Sequence, residues 1–392
     1  MRRLGESTYL AARLENVSRS LVVPLADMTP IPVFDLSRQL APQRAELESA
    51  VLAVIRSGRF VLGDQVAAFE SAFAAYCGVQ HAVGVANGTD ALELALRSVG
   101  VGSGDRVITV ANAGGYGTTA IRACGAEPLY VDVDPESMQM DADHFERALA
   151  SGPRAAIVTH LYGRLADVEA LQRAAIARGV PIVEDCAQAH GARLDGKHAG
   201  TFGALGCFSF YPTKNLGALG DGGAVVTQNN KLAAHVRALR QYGWHRKYRV
   251  EHVGGRNSRL DELQAAVLYH RLAGLDDDNR LRRSIAARYA REIRSPQLAV
   301  PTRQGEHDAM HLFVVLTRRR DALVAHLTAH GIGCDVHYPV PDHLQPGFTA
   351  PRDTPPLPIT EQLAQQVLTL PCFAAMTDEE IARVIDTCNN FT

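Results

Sequence analysis

One lysine is set apart by its surroundings. In Gly206-Cys207-Phe208-Ser209-Phe210-Tyr211-Pro212-Thr213-Lys214-Asn215 an apolar strand runs into a proline-bearing turn, and glycines crowd the residues that follow, from Gly217 to Gly223. A lysine amine can form a Schiff base with a carbonyl when desolvation or nearby charge lowers its pKa. Glycines beside it let the backbone approach a flat ligand closely. A lone lysine in such a turn is otherwise a surface residue. A second segment, Ile182-Val183-Glu184-Asp185-Cys186-Ala187-Gln188, is an apolar strand ending in a carboxylate. Open α/β sheets bind ligands at the carboxyl ends of their strands, so Asp185 could hold a cationic ring nitrogen, or simply bind a neighbouring helix. A third, Asn87-Gly88-Thr89-Asp90, lies where a strand turns into a helix. Free N–H groups there, with a small hydroxyl, suit a phosphate, although Thr and Asp are also ordinary helix caps. The fourth, Gly254-Gly255-Arg256-Asn257-Ser258 to Ala266, reads by itself as a capped helix start, with Ser258 and Glu262 near capping-box spacing.

The elements that must position these residues follow from hydrophobic period. Helical spacing runs from Pro42 to Ser57 and is expected to continue over Phe60–Phe73 after Gly58. Strand and helix then alternate: HAVGVAN into GTDALELALRSVG, DRVITVAN into a Gly-rich turn and TTAIRACG, then PLYVDVD, AAIVTHLYG, a helix over Val168–Arg178, and VPIVEDCAQ. Near-continuous apolar strands alternating with helices predict an α/β domain around a mostly parallel sheet. After about residue 270 a charged helix (Asp276–Arg294), the strand HLFVVLT, a further helix, a Pro-rich stretch from Pro339 to Pro358 and a helical tail over Thr377–Cys388 predict a smaller α+β unit. The expected division is an extension over 1–30, a large α/β domain over 31–270 and a small C-terminal domain over 271–392.

Composition removes several functions. The chain has 392 residues, 40 Lys+Arg against 42 Asp+Glu and a net charge of -2, so there is no field to draw nucleic acid or an anionic membrane. No apolar run approaches the roughly 20 residues of a membrane helix. The 7 cysteines are scattered without a C-x-x-C pair, which reads as buried, reduced thiols of a cytoplasmic protein and not as a metal site. The first residues carry Glu6 and Glu15 among arginines and no apolar core, so they are not a signal peptide. Met28 opens MTPIPVFDL as a natural start would, and residues 1–27 are expected to be dispensable or to come from an upstream start codon.

E-D-x-A-Q, then S-F-Y-P-T-K-N, then G-R-N-x-R with Q-A-A closely resemble, as a set and in this order, the DegT/DnrJ/EryC1/StrS family. These are pyridoxal-phosphate-dependent sugar aminotransferases of the aspartate-aminotransferase fold (fold type I), and the resemblance runs from about Ile31 to the C-terminus. It implies that Lys214 bonds covalently to pyridoxal 5'-phosphate (PLP) and that Asp185 pairs with the protonated pyridine nitrogen. It further implies that Gln188 lies by the ring hydroxyl, that Gly88, Thr89 and Ser209 hold the phosphate, and that Tyr116 stacks on the ring. Asn257 would reach the phosphate of a partner subunit, making the active unit a homodimer, and Lys247 would also cross the interface. Tyr211, His337 and Tyr338 would face the sugar or its diphosphate. A carboxylate at the ring nitrogen keeps it protonated, so the ring can accept electrons from the substrate carbon. The freed lysine can then move the proton.

Within that family, ANAGGYGTTA and the loop Asp335–His343 look like the subgroup acting at C3 of dTDP-3-keto-6-deoxyhexoses, whose products enter antibiotic deoxyaminosugars. L-Glutamate is the donor the resemblance implies. Inside the fold the alternatives are a C4 aminotransferase or one acting on a keto-cyclitol. A PLP-dependent sugar dehydratase is disfavoured because such relatives replace the lysine by histidine, and a pure regulator because Lys214, Asp185 and Ser209 are all present. His337 and Tyr338 could instead be packing residues, and the basic loop Arg246–Arg249 a solvated turn. His81, His160, His190 and His311 are taken as structural. A dehydrogenase is not supported, because Gly100-Val101-Gly102-Ser103-Gly104 precedes a strand instead of opening a helix.

Overall fold

The computed structural model describes residues 29–301 and 308–392; the expectation for residues 1–27 lies outside them. Among the described residues thirteen strands are formed: β1 His81–Val85, β2 Arg106–Val110, β3 Glu127–Val131, β4 Ala155–Thr159, β5 Ile182–Asp185, β6 Arg193–Leu194, β7 Lys197–His198, β8 Leu205–Ser209, β9 Gly223–Thr227, β10 Trp244–Arg246, β11 Arg249–Val250, β12 Phe313–Leu316 and β13 Val367–Leu370. Seven make one sheet in the order β1-β9-β8-β5-β4-β2-β3. β9 is antiparallel to both of its neighbours and the remaining pairs are parallel, so every other strand of the sheet points the same way.

These strands are apolar on both faces because both are covered. Val107, Ile157, Val183, Cys207 and Val225 pack with the helices Gly88–Ser98, Tyr116–Ala123 and Asn230–Leu239. Their neighbours Ile108, Val158 and Ile182 face Phe145, Leu149 and Leu171 of the helices Ala142–Leu149 and Val168–Arg178. At the β1 end, Phe208 and Val226 meet Phe69 and Phe73. Those rings and Phe210 make edge-on and stacked contacts between 5.0 and 5.5 Å. At about 25 cal/mol per Å² of apolar surface, this two-sided burial is what holds the strand ends in register.

Beyond the sheet, the helices Leu275–Glu292, Arg320–Ala329 and Asp378–Asn389 and the β12–β13 pair enclose Ile285, Tyr289, Phe313, Leu323, Leu368 and Val384. Two local expectations change. The helical pattern over Phe60–Phe73 does not continue from the preceding helix: Gly58 ends that helix in the left-handed region (φ 65), and the next spans Asp64–Cys77. Nor do Ser258 and Glu262 form a capping box. Asp261 holds the cap position, Ser258 accepts the Ala86 N–H, and Glu262 accepts the N–H groups of Gly63, Gln65 and Val66 at 2.8–3.0 Å.

Candidate active site

The carboxyl ends of the co-directional strands bring the sequence segments together. β1 leads through Ala86 to Asn87, whose side chain caps the helix Gly88–Ser98 by accepting the Asp90 N–H at 2.8 Å. The cap is therefore Asn87 and not Thr89, and the N–H groups of Gly88 and Thr89 have no carbonyl before them in the helix. A Cβ on Gly88 would lie 2.6 Å from the Ser209 Cβ, so the helix start and the end of β8 touch only because this residue is glycine. β9 closes the other side: Gly223 pairs with both Ser209 and Val85, and a Cβ there would lie 2.4 Å from the Asn87 carbonyl.

Asp185 ends β5, beside β8. Its Oδ1 accepts the Ala187 N–H at 3.1 Å and its Oδ2 the Thr159 hydroxyl at 3.5 Å. Burial raises its pKa, with the Ala187 N–H, Lys214 and His160 pulling it back. Lys214 stands in the turn between β8 and β9, where its N–H donates to the Tyr211 carbonyl at 2.8 Å. Desolvation pulls its amine down to about 8, and the Asp185 carboxylate, within electrostatic reach, opposes the shift. The turn is locked by the next residue. Asn215 donates to Asn279 Oδ1 and the Ala309 carbonyl, both at 2.7 Å, and accepts from His311 Nδ1 at 3.0 Å. Asn279 in turn donates to the His190 carbonyl at 2.7 Å. His190 and His311 are buried and held neutral by desolvation and by Lys214.

A second group forms around Gln188. Its Oε1 accepts the Tyr162 N–H at 2.6 Å and its amide donates to the Tyr338 hydroxyl at 3.1 Å. The Tyr162 hydroxyl donates to the His337 carbonyl at 2.6 Å, and His337 Nδ1 meets Thr369 Oγ1 at 2.8 Å. The rings of Tyr116 and Tyr338 meet edge-on at 6.3 Å. Gly114, at φ 78, fits between them, since a Cβ there would come within 3.0 Å of both rings.

Lys214, Asp185, Gln188, Gly88, Thr89, Ser209, Tyr116, His337 and Tyr338 thus belong to one strand-end cluster. Tyr211 is in the same turn, with an exposed side chain. Lys247 and Asn257 are elsewhere. Lys247 is at the tip of the β10–β11 hairpin over the Tyr248 ring, and Asn257 is exposed in a bridge with Gln241. Among the described residues neither is hydrogen-bonded to the cluster.

Sequence reading missed Tyr162 and the pair behind Asp185. His160 Nε2 donates to Glu184 Oε2 at 2.9 Å, its tautomer fixed because Nδ1 accepts the Ala166 N–H at 3.3 Å. Glu184 also accepts the N–H groups of Gly200, Phe202 and Gly203 at 2.6–2.8 Å. Cys186 lies close to both, its thiol pKa pushed well up by burial, while both His160 nitrogens and both Glu184 oxygens are already engaged in hydrogen bonds. The seven cysteines are free, and all but Cys334 are buried.

A glycine-lined helix start with free N–H groups, a desolvated lysine amine and a buried strand-end carboxylate fit the phosphate, aldehyde and ring nitrogen of PLP. Gly88 supports this independently, because its contact with Ser209 admits no side chain. The fold and site define a PLP-dependent aminotransferase with the aspartate-aminotransferase fold. The chain belongs to the DegT/DnrJ/EryC1/StrS aminotransferase family, whose pattern matches residues 42–389. It is 44% identical over 366 residues to the dTDP-3-amino-3,4,6-trideoxy-alpha-D-glucose transaminase of Streptomyces venezuelae, covering 92% of this chain and 96% of that protein. It is 41% identical to the dTDP-3-amino-3,6-dideoxy-alpha-D-galactopyranose transaminase of Aneurinibacillus thermoaerophilus, covering 92% and 99%. The crystal structure of S. venezuelae DesV superposes with a TM-score of 0.89 at 44% identity, covering 92% of this chain and 98% of that one.

Proposed function

We propose that this enzyme transfers an amino group from L-glutamate to C3 of a dTDP-3-keto-6-deoxyhexose, as a homodimer, giving a dTDP-3-amino-3,6-dideoxyhexose. The observation that carries the chemistry is Lys214. Its amine is drawn down to about 8 by burial, in electrostatic reach of a buried carboxylate at the end of the neighbouring strand. Support for the C3 position comes from the two relatives, both named for 3-amino sugars.

PLP, when bound, supplies an electron sink that stabilises the carbanion at the substrate carbon. The chain's own residues do the rest. Gly88, Thr89 and Ser209 present N–H and hydroxyl groups to the phosphate. Asp185, whose pKa burial raises, would hold the ring nitrogen, whose positive charge would relieve that penalty. Gln188, pinned by the Tyr162 N–H, would hold the ring hydroxyl side, and Tyr116 would cover the ring face. Lys214, once its amine is free, carries the proton to and from the substrate carbon. Tyr211, His337 and Tyr338 orient the sugar, while Asn257 and Lys247 act on the partner subunit's site.

The test is the visible spectrum of the protein loaded with PLP, before and after excess L-glutamate, beside Lys214→Ala. Bleaching of the cofactor band in the native protein and its absence in Lys214→Ala is expected. Failure of the native protein to bind PLP or to respond to any amino donor overturns the reading. Determining which carbon bears nitrogen in the product by NMR separates C3 from C4 transfer.

A further inference from the structure

We propose that Asp342 is a positioning residue: its buried carboxylate latches the loop carrying His337 and Tyr338 onto the first turn of the helix Tyr116–Ala123, and thereby sets how tightly the sugar substrate is held. The proposal rests on the aminotransferase reading above and concerns only its sugar side.

Asp342 is 1% exposed. Its Oδ2 accepts the Thr118 hydroxyl at 2.6 Å, and its own N–H donates to the Ala111 carbonyl at 2.8 Å. One residue thus stitches the loop at two points to the stretch that carries Tyr116. Thr118 is fully buried and lies 3.1 Å from the Tyr130 hydroxyl of β3. With the Thr118 hydrogen given to the carboxylate Oδ2, Tyr130 donates to the Thr118 oxygen, while Asp342 Oδ1 is buried without a hydrogen-bond partner among the described residues. Earlier in the same loop, Tyr338 is held by Gln188 and meets the Tyr116 ring. The loop is therefore fixed to the cofactor side at one end and latched by Asp342 at the other.

A carboxylate is favoured at a helix N-terminus, while burial raises the pKa of Asp342 to about 6, with the Thr118 hydroxyl and the Gly115 N–H pulling it down. Among the described residues, other ionisable groups stand on the elements around it. Tyr130 is pushed up to about 12 and stays a neutral donor. Arg122 bonds the Thr349 carbonyl, and His343 pairs with Glu361 at 3.1 Å. The ionised carboxylate is the stronger acceptor for Thr118, so the latch is tight above pH 6 and loosens below it.

The test uses the PLP-loaded enzyme run in reverse, with dTDP-3-amino-3,6-dideoxyhexoses (gluco and galacto) as donors and 2-oxoglutarate as acceptor, because transamination is reversible. In native enzyme the KM for the amino sugar should rise as pH falls through about 6. In Asp342→Asn it should be about tenfold higher at pH 7.5, the worth of one hydrogen bond to a charged group, and flat across that window, with L-glutamate bleaching intact. His343→Gln should keep the native pH profile. A native KM and pH profile in Asp342→Asn, or a profile that disappears with His343→Gln, overturns the latch. Loss of bleaching in the native enzyme overturns the aminotransferase reading instead. Should Asp342→Asn not fold, Thr118→Ser, which keeps the hydroxyl, and Thr118→Val, which removes it, make the same comparison. A KM raised only in Thr118→Val supports the latch, and equal values in the two sink it.

Discussion

At the scale of single residues, the site works through two unfavourable burials that answer each other. Desolvation takes the Lys214 amine from the usual lysine range to about 8 and raises the Asp185 carboxyl. Only the neutral amine attacks an aldehyde. The rate at which PLP-free protein recaptures PLP should therefore rise with pH through about 8 and level off above it. A rate that is flat from pH 7 to 9.5, followed by stopped-flow absorbance, would show that the amine is not so perturbed. Gly88 gives a second prediction. A methyl there must displace the Ser209 Cβ from 2.6 Å, so Gly88→Ala should weaken PLP binding by about a hundredfold, the worth of two hydrogen bonds to a charged phosphate, in a fluorescence titration. The roles of Asp185, Lys214, Gly88 and Ser209 came only from the family resemblance of the motif set, but the positions themselves were legible in the sequence, because each sits at a strand end or beside a turn signal. His160, Glu184 and Tyr162 were not. Their importance arises from contacts between strands and loops far apart in the chain, and nothing beside them in sequence marks it.

At the scale of elements, periodicity located the sheet and most helices, and it failed where a side chain was used for tertiary work. Glu262 looked like one half of a capping box. It is instead a buried receptor for three N–H groups at the start of the helix Asp64–Cys77, joining two elements distant in sequence. The same contact explains why the Phe60–Phe73 pattern restarts at Asp64: Glu262 satisfies the orphan donors that a new helix start exposes. Glu262→Ala should accordingly cost about 3 kcal/mol, since it strands several buried donors of a charge-assisted set, and should lower the thermal midpoint by several degrees. An unchanged midpoint in calorimetry would mean that water replaces the carboxylate. Glu262→Gln should recover part of the loss, because the amide keeps one acceptor.

At the scale of the whole molecule, the β10–β11 hairpin and the loop after it stand out from a single protomer, with Tyr248 79% and Val253 96% exposed. Lys247 and Asn257 belong to the same outlying stretch, which suits residues that act on a partner's site in the proposed homodimer. Mixing inactive Lys214→Ala with inactive Asn257→Ala under conditions of subunit exchange should then restore about a quarter of native activity, because half the dimers carry one intact site. No recovery, despite exchange shown by mass spectrometry, would place Asn257 in its own subunit's site. One further consequence lies in β9, the single strand that runs against the rest of the sheet. Because it returns directly beside β8, the turn bearing Lys214 closes over the short stretch Phe210–Gly222, whereas Gly88 and Asp185 reach that turn only when distant parts of the chain meet. Short loops close on far faster timescales than long-range pairings. The nascent chain can therefore display its reactive lysine before it owns a pocket to shelter it, so capture of the cofactor waits on the slowest, most non-local step of assembly.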